Sequence, residues 1–168
     1  ALSVDINPQA VERIKRKGLE AICCRAEELH EKADIAADIF LSFEMLEHLI
    51  NPIGFIHSMA TQAKCKYFVI TKKKKKKSRI GLHYIRNSFS GHFQAENTHI
   101  FELSPDDRNL LFLFAGWKIV YSDKYTQYPK TGLLNLTKYL WRRFDFDGFY
   151  GVILEKDNLY MKQYMDWD

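Results

Sequence analysis

No apolar run in the 168 residues approaches the ~18 needed to cross a bilayer, which excludes a helical membrane span. The amino-terminal stretch Ala-Leu-Ser-Val-Asp has no basic region ahead of a long apolar segment, so no signal peptide is visible. Cysteine is scarce. Of the three, Cys23 and Cys24 are adjacent and Cys65 is left over, so a disulfide frame is excluded; they read as buried, reduced thiols of a cytoplasmic protein. Internal repeats and a dividing linker are also lacking, and residues 1–168 read as a single domain. What is plentiful is apolar material. At 46% hydrophobic and 14% aromatic, the chain is excluded from the disordered class and has ample substance for a core.

The net charge of +4 is misleading, because six of the 25 basic residues are the consecutive lysines 72–77. Without that run the chain is slightly acidic, so its bulk charge gives no argument for a nucleic-acid partner. No interleaved aromatics accompany the lysines, and the run reads as a solvated loop of mutually repelling charges.

Strand signals fall over residues 2–6, 21–24, 35–43 and 67–71, the last continuously apolar and so expected to be buried on both faces. Pro8 opens a helix whose apolar face is Ala10, Val11, Ile14 and Leu19, closed by basic residues and Gly18. Residues 45–63 read as helical segments interrupted by Pro52, and 78–98 as an irregular excursion. Ser104-Pro105-Asp106-Asp107 is a strong helix start. Strands follow over 117–121 and 149–154. Short strand–helix alternation followed by two strands without a crossover helix predicts an α/β fold, mostly parallel, with a C-terminal antiparallel pair.

In this order the segments resemble a class I S-adenosylmethionine-dependent methyltransferase over nearly the whole chain, and so imply a Rossmann-like sheet. Val4-Asp5-Ile6-Asn7-Pro8 is similar to the end of that fold's second strand, where a carboxylate accepts from the cofactor ribose; ligands of open α/β sheets sit at such strand ends. The resemblance places Asp5 and Ile6 there. Cys24-Arg25-Ala26-Glu27 resembles the segment beside the adenine, with Ala26 and Glu27 as contacts and Arg25 standing where the family often has an acid. Asp38 to Leu49 is similar to the fourth strand and the Leu-Glu-His signature of small-molecule methyltransferases such as the ubiquinone-biosynthesis O-methyltransferases. There Ser42 and Phe43 line the sulfonium side, and an aromatic ring faces a cation favourably. Glu47 and His48 lie near the transfer site.

Glu44, Glu47 and His48 are spaced to share one helical face. Some relatives with Glu-x-x-Glu-His hold a divalent ion there, and in small-RNA 2′-O-methyltransferases a later histidine completes the site, as His99-Ile100-Phe101-Glu102 resembles. Most Leu-Glu-His methyltransferases carry no metal, and none is expected here. The family's Gly-rich turn and first, central strand would precede Asp5 by about 20 residues. That strand is therefore expected to be missing. An upstream segment, a neighbouring chain in a homo-oligomer or an adapted topology all remain open.

The leading expectation is S-adenosylmethionine-dependent methyl transfer to an oxygen or nitrogen of a small molecule, with His48 as general base, Glu47 orienting it and His99 as second candidate. Aromatics in 78–98 and 126–147 (Tyr84, Phe89, Phe93, Tyr128, Tyr139, Trp141) would line the acceptor pocket. Two other classes stay open. A non-catalytic scaffold is favoured by Arg25 and the absent Gly-rich turn; an RNA 2′-O-methyltransferase is favoured by the lysine run and Glu-x-x-Glu-His.

Overall fold

The computed structural model describes residues 1–73, 77–84, 98–125, 136, 137, 139 and 148–162. The chain begins with β1 (Leu2–Asp5), α1 (Pro8–Arg16) and β2 (Glu20–Cys23). A 3₁₀ turn (Ala26–Glu28) leads into the short α2 (Leu29–Lys32) and then β3 (Ala36–Phe43). A second 3₁₀ turn (Leu46–His48) precedes α3 (Pro52–Thr61), β4 (Lys64–Lys73) and β5 (Arg79–Tyr84). Then come β6 (Thr98–Glu102), α4 (Pro105–Phe114), β7 (Trp117–Tyr125), β8 (Phe149–Lys156) and α5 (Leu159–Lys162).

The helix ends are set by local chemistry. Asn7 accepts from the backbone N–H groups of Gln9 and Ala10, Pro8 takes the first turn, and basic residues fill the last. Gly18, at φ +75°, provides the left-handed residue that leads out of α1. Ser104 caps α4 by accepting from the Asp107 N–H. Pro52 does not interrupt a helix as expected: it begins one. Asn51 caps it through the Gly54 N–H at 2.8 Å, and the missing Pro N–H is harmless in a first turn. Residues 45–48 are thereby left as a separate turn.

The sheet is mixed. β1 pairs with β2 in parallel, and β3 with β4 in parallel. β8 lies antiparallel between β4 and β7, giving the order β3-β4-β8-β7. The expected antiparallel association of the two late strands is present. Residues 79–84, expected within an irregular excursion because of their mixed polarity, instead form β5, which pairs with β6 as an antiparallel ribbon.

Among the described residues, buried apolar side chains from helices and strands form a hydrophobic core. α3 supplies Phe55, Ile56 and Met59, α4 supplies Phe112, and the strands supply Phe68, Ile70, Trp117, Val152 and Leu154. Phe68 meets Phe40 and Trp117 edge-on at centroid distances of 5.2 and 5.5 Å. The Trp117 indole N–H donates to the Ile56 carbonyl at 2.9 Å, joining β7 to α3. Only one face of β4 is fully buried: Phe68, Ile70 and Lys72 point inward, whereas Tyr67, Val69 and Thr71 are half-buried. Beside them on β3, Ile39, Leu41 and Phe43 are each more than half exposed. Among the described residues, the outer edges of β1 and β3 have no partner strand. Cys24 and Cys65 are buried thiols, but Cys23 is exposed, because the strand's alternation turns it outward.

Candidate active site

The turn after β3 starts with a strained residue. Glu44 has φ +49°, a left-handed conformation uncommon outside glycine and characteristic of functional turns, and its N–H donates to the Thr71 carbonyl at 3.0 Å. The chain then passes into the 3₁₀ turn that carries Glu47 and His48. The shared helical face expected for Glu44, Glu47 and His48 does not form, since the α-helix starts only at Pro52.

β6 delivers the opposing half. His48 Nδ1 lies 2.9 Å from the Thr98 carbonyl, which can only accept, so Nδ1 carries the hydrogen and Nε2 of the neutral ring keeps its lone pair. His99 Nδ1 lies 2.8 Å from Glu102 Oε1, giving the same polarity with a carboxylate as acceptor. The two imidazoles meet edge to face at 4.8 Å. Glu47, His48 and His99 each offer one ligand atom, all within 4.8 Å of one another. Glu47 is 1% exposed, and its Oε2 has no hydrogen-bond partner among the described residues.

Two buried cations lie alongside. Lys72, 3% exposed, belongs to β4, where it pairs across from Tyr150 and donates through Nζ to the Phe101 carbonyl of β6. Arg108 of α4, 2% exposed, sets its guanidinium 4.6 Å from the Tyr150 ring centroid; its Nε and Nη2 have no hydrogen-bond partner among the described residues. Burial pushes the Lys72 ammonium below its ordinary pKa, with Glu47 opposing the shift. Burial likewise brings Arg108 well below the ordinary guanidinium range, down to about 10, opposed by Tyr150, Glu47 and Glu44. Lys72 is thus no part of a solvated loop. Its side chain shares the inward face of β4 with Phe68 and Ile70, and its charge faces buried carboxylates instead of water.

The other expected site residues lie at strand ends. Asp5 closes β1, and its Oδ1 accepts from the Asn7 N–H at 2.7 Å. Ile6 follows it, exposed. Ala26 opens the turn after β2. Ser42, buried with an Oγ unpartnered among the described residues, and the exposed Phe43 end β3. Glu27 braces the fold. Its Oε1 accepts from the N–H groups of Ile50 and Asn51 at 3.1 and 3.4 Å and faces Arg25 at 3.8 Å, tying the β2 turn to the start of α3. Of the aromatics expected around an acceptor, Phe89, Phe93, Tyr128 and Trp141 lie outside the described residues, and Tyr139 is exposed. Sequence reasoning misses Lys72 and Arg108 as site residues, and Glu102 as the partner of His99. The alternation of β4 continued through Thr71 would have found Lys72, and the four-residue spacing of Arg108 to the buried Phe112 would have found Arg108.

Neither a protein-family model nor a curated protein sequence matches this chain. Solved structures do. An S-adenosylmethionine-dependent methyltransferase from Archaeoglobus fulgidus aligns with a TM-score of 0.61 over 92% of this chain and 75% of its own, at 15% identity. The Burkholderia thailandensis 1,6-didemethyltoxoflavin-N1-methyltransferase, solved with 1,6-didemethyltoxoflavin and S-adenosylhomocysteine, aligns at 0.60 over 93% and 60%, also at 15% identity. The [4+2]-cyclase SpnF aligns at 0.60 over 93% and 66%, at 13% identity. This chain therefore spans about two thirds of the length of such neighbours. At these identities the likeness speaks for architecture. The chain has the fold of the class I S-adenosylmethionine-dependent methyltransferases.

Proposed function

We propose that the protein transfers a methyl group from S-adenosylmethionine to an oxygen or nitrogen nucleophile of a small molecule. The observation that carries this reading is the pair of imidazoles, 4.8 Å apart between centroids, whose Nδ1 atoms both face acceptors, so that in each neutral ring the lone pair is on Nε2. A lone pair held in a fixed direction suits a general base. The residues that would hold the cofactor fit it chemically: Asp5 for the ribose, Ala26 beside the adenine, and the Ser42 Oγ, unpartnered among the described residues, and the exposed Phe43 ring toward the sulfonium. Glu27 would contribute only with its second oxygen. When bound, S-adenosylmethionine supplies an electrophilic methyl carbon. His48 Nε2 would take the acceptor's proton, Thr98 holding the ring in the required tautomer. Calorimetric titration with S-adenosylmethionine and S-adenosylhomocysteine tests the proposal; absence of binding heat for both would remove it and favour the scaffold alternative.

A second reading rests on the same residues. Histidines that ligate a metal donate their other ring N–H to a carboxylate or carbonyl, as His99 does to Glu102 and His48 to Thr98. With Glu47 Oε2 unpartnered among the described residues, Glu47, His48 and His99 form a nitrogen–oxygen donor set that fits a divalent cation. Such an ion would lower the pKa of an acceptor hydroxyl. Titration with Mn²⁺ decides this reading: paramagnetic broadening confined to the His48 and His99 ring signals supports it, and unbroadened rings at millimolar Mn²⁺ reject it.

A further inference from the structure

β6 carries His99 and Glu102 yet belongs to no strand of the main sheet; among the described residues its only strand partner is β5. What docks it onto the body is a small set of contacts. One is the His48 bond to the Thr98 carbonyl. Another is the Lys72 ammonium, which reaches from β4 to the Phe101 carbonyl, between His99 and Glu102 in sequence. The Ser104 N–H donates to Ser78 Oγ at 2.7 Å, but Ser78 directly precedes β5, so that bond closes the β5–β6 ribbon on itself and does not seat it on the body. An ammonium on a 3%-exposed side chain, in a strand otherwise filled with Phe68 and Ile70 on that face, is costly to bury and calls for a reason.

We propose that Lys72 is a positioning residue: by holding the Phe101 carbonyl it seats β6 on the body and so brings the His99–Glu102 pair against His48 and Glu47. This role rests on the site assigned above but not on the identity of its reaction. Lys72 and Tyr150 are directly opposed in the β4–β8 register, and Arg108 stacks on Tyr150, so the ammonium has a fixed floor beneath it. An ammonium offers three donors and no acceptor, which suits it to a carbonyl on one side and buried carboxylates on the other. A neutral side chain of similar length would fill the space and leave the carbonyl unheld.

Lys72→Met, with Lys77→Met as an exposed control, provides the test, read by amide hydrogen exchange and by the nuclear Overhauser contact between the His48 and His99 rings. The expected result for Lys72→Met is loss of the ring contact with about tenfold or greater acceleration of exchange confined to β5 and β6, while β4 and β8 retain their protection. Lys72→Arg, which keeps the charge and donors, should restore part of that protection. An unchanged ring contact, or acceleration spread evenly through β4 and β8, overturns the proposal. If Lys72→Met does not fold, the wild-type protein still decides: a buried ammonium bonded to a carbonyl gives a slowly exchanging ¹⁵N signal with contacts to Phe101, and its absence overturns the assignment. None of these readouts needs cofactor or turnover, so a failure of the methyl-transfer reading leaves them standing.

Discussion

Replacing Arg108 with methionine should make the protein more stable, against the usual expectation for a buried residue. The guanidinium is 2% exposed, and burial outweighs the attraction of Tyr150, Glu47 and Glu44, bringing its pKa well below the ordinary guanidinium value, to about 10. A displacement of that size corresponds to about 3 kcal/mol by which the charged form is disfavoured in the folded protein at neutral pH. The attraction of Glu47 is already inside that net figure, so removing the charge removes the penalty and the attraction together. Methionine is unbranched and adaptable, and it fills most but not all of the vacated volume. The expected gain in Arg108→Met is therefore about 1–3 kcal/mol, on the condition that Glu47 keeps a cation facing it, which Lys72 provides. Urea unfolding at pH 7 measures it directly. The pH dependence has a definite sign. Between the folded pKa near 10 and the higher, ordinary guanidinium value of the unfolded chain, the unfolded chain binds more protons at this site, so wild-type stability gains with rising pH. The advantage of Arg108→Met should narrow by about 1 kcal/mol between pH 9 and pH 11. A variant no more stable than wild type at pH 7, or a gap that does not change with pH, would refute the reasoning. The gain in stability should come with loss of function, because Glu47 loses a counter-charge beneath the imidazole pair.

Asp5→Ala should weaken S-adenosylmethionine binding by about 1.5–3 kcal/mol, the usual worth of hydrogen bonds to a charged group, as measured by calorimetry; equal affinity would remove Asp5 from the site. His48→Ala should lower turnover about 10²–10⁴-fold while cofactor affinity stays within error, and a parallel loss of both would show the side chain to be structural. If the site holds a metal, a chelator should abolish wild-type activity and Mg²⁺ or Mn²⁺ should restore it. Trp117→Phe removes the indole N–H that joins β7 to the Ile56 carbonyl, which keeps its bonding within α3, and should cost about 0.5–1.5 kcal/mol in urea unfolding for the lost hydrogen bond; no measurable cost would mean that the bond adds nothing to stability.

The architecture is legible in the sequence wherever one physical rule governs a segment. Ser104-Pro105 and Asn7-Pro8 declare their helices, and the late strands show themselves by an apolar pattern with no helix between them. Errors arise where a local rule meets a tertiary one. Helical periodicity on both sides of Pro52 makes it look like a breaker, whereas Asn51 turns it into a start. The polar ribbon β5–β6 has no apolar run to betray it, since its docking relies on Lys72 and His48 instead of on greasy side chains. For the site, His48, Glu47 and His99 can be nominated from spacing and resemblance, but their meeting depends on contacts between residues 50 positions apart in sequence. Glu102 and Lys72 are hidden for a similar reason. A lysine run looks the same on paper whether its first member ends a strand inside the protein or starts a loop outside it.

The bare flank of β3 has a practical meaning as well. Among the described residues its outer edge has no partner strand, and the residues beside it, Ile39, Leu41 and Phe43, are all strand-forming and more than half exposed. Six residues from Asp38 to Phe43 include a single charge, at the amino-terminal end, and no proline or glycine. That composition is a template for intermolecular β-pairing, and lysines or prolines usually stand guard over such edges. Residues 39–43 carry none of these gatekeepers, so at high concentration an edge of this kind is a route out of solution. A lysine at position 41, on the solvent side of the strand, would close that route without touching the histidine pair.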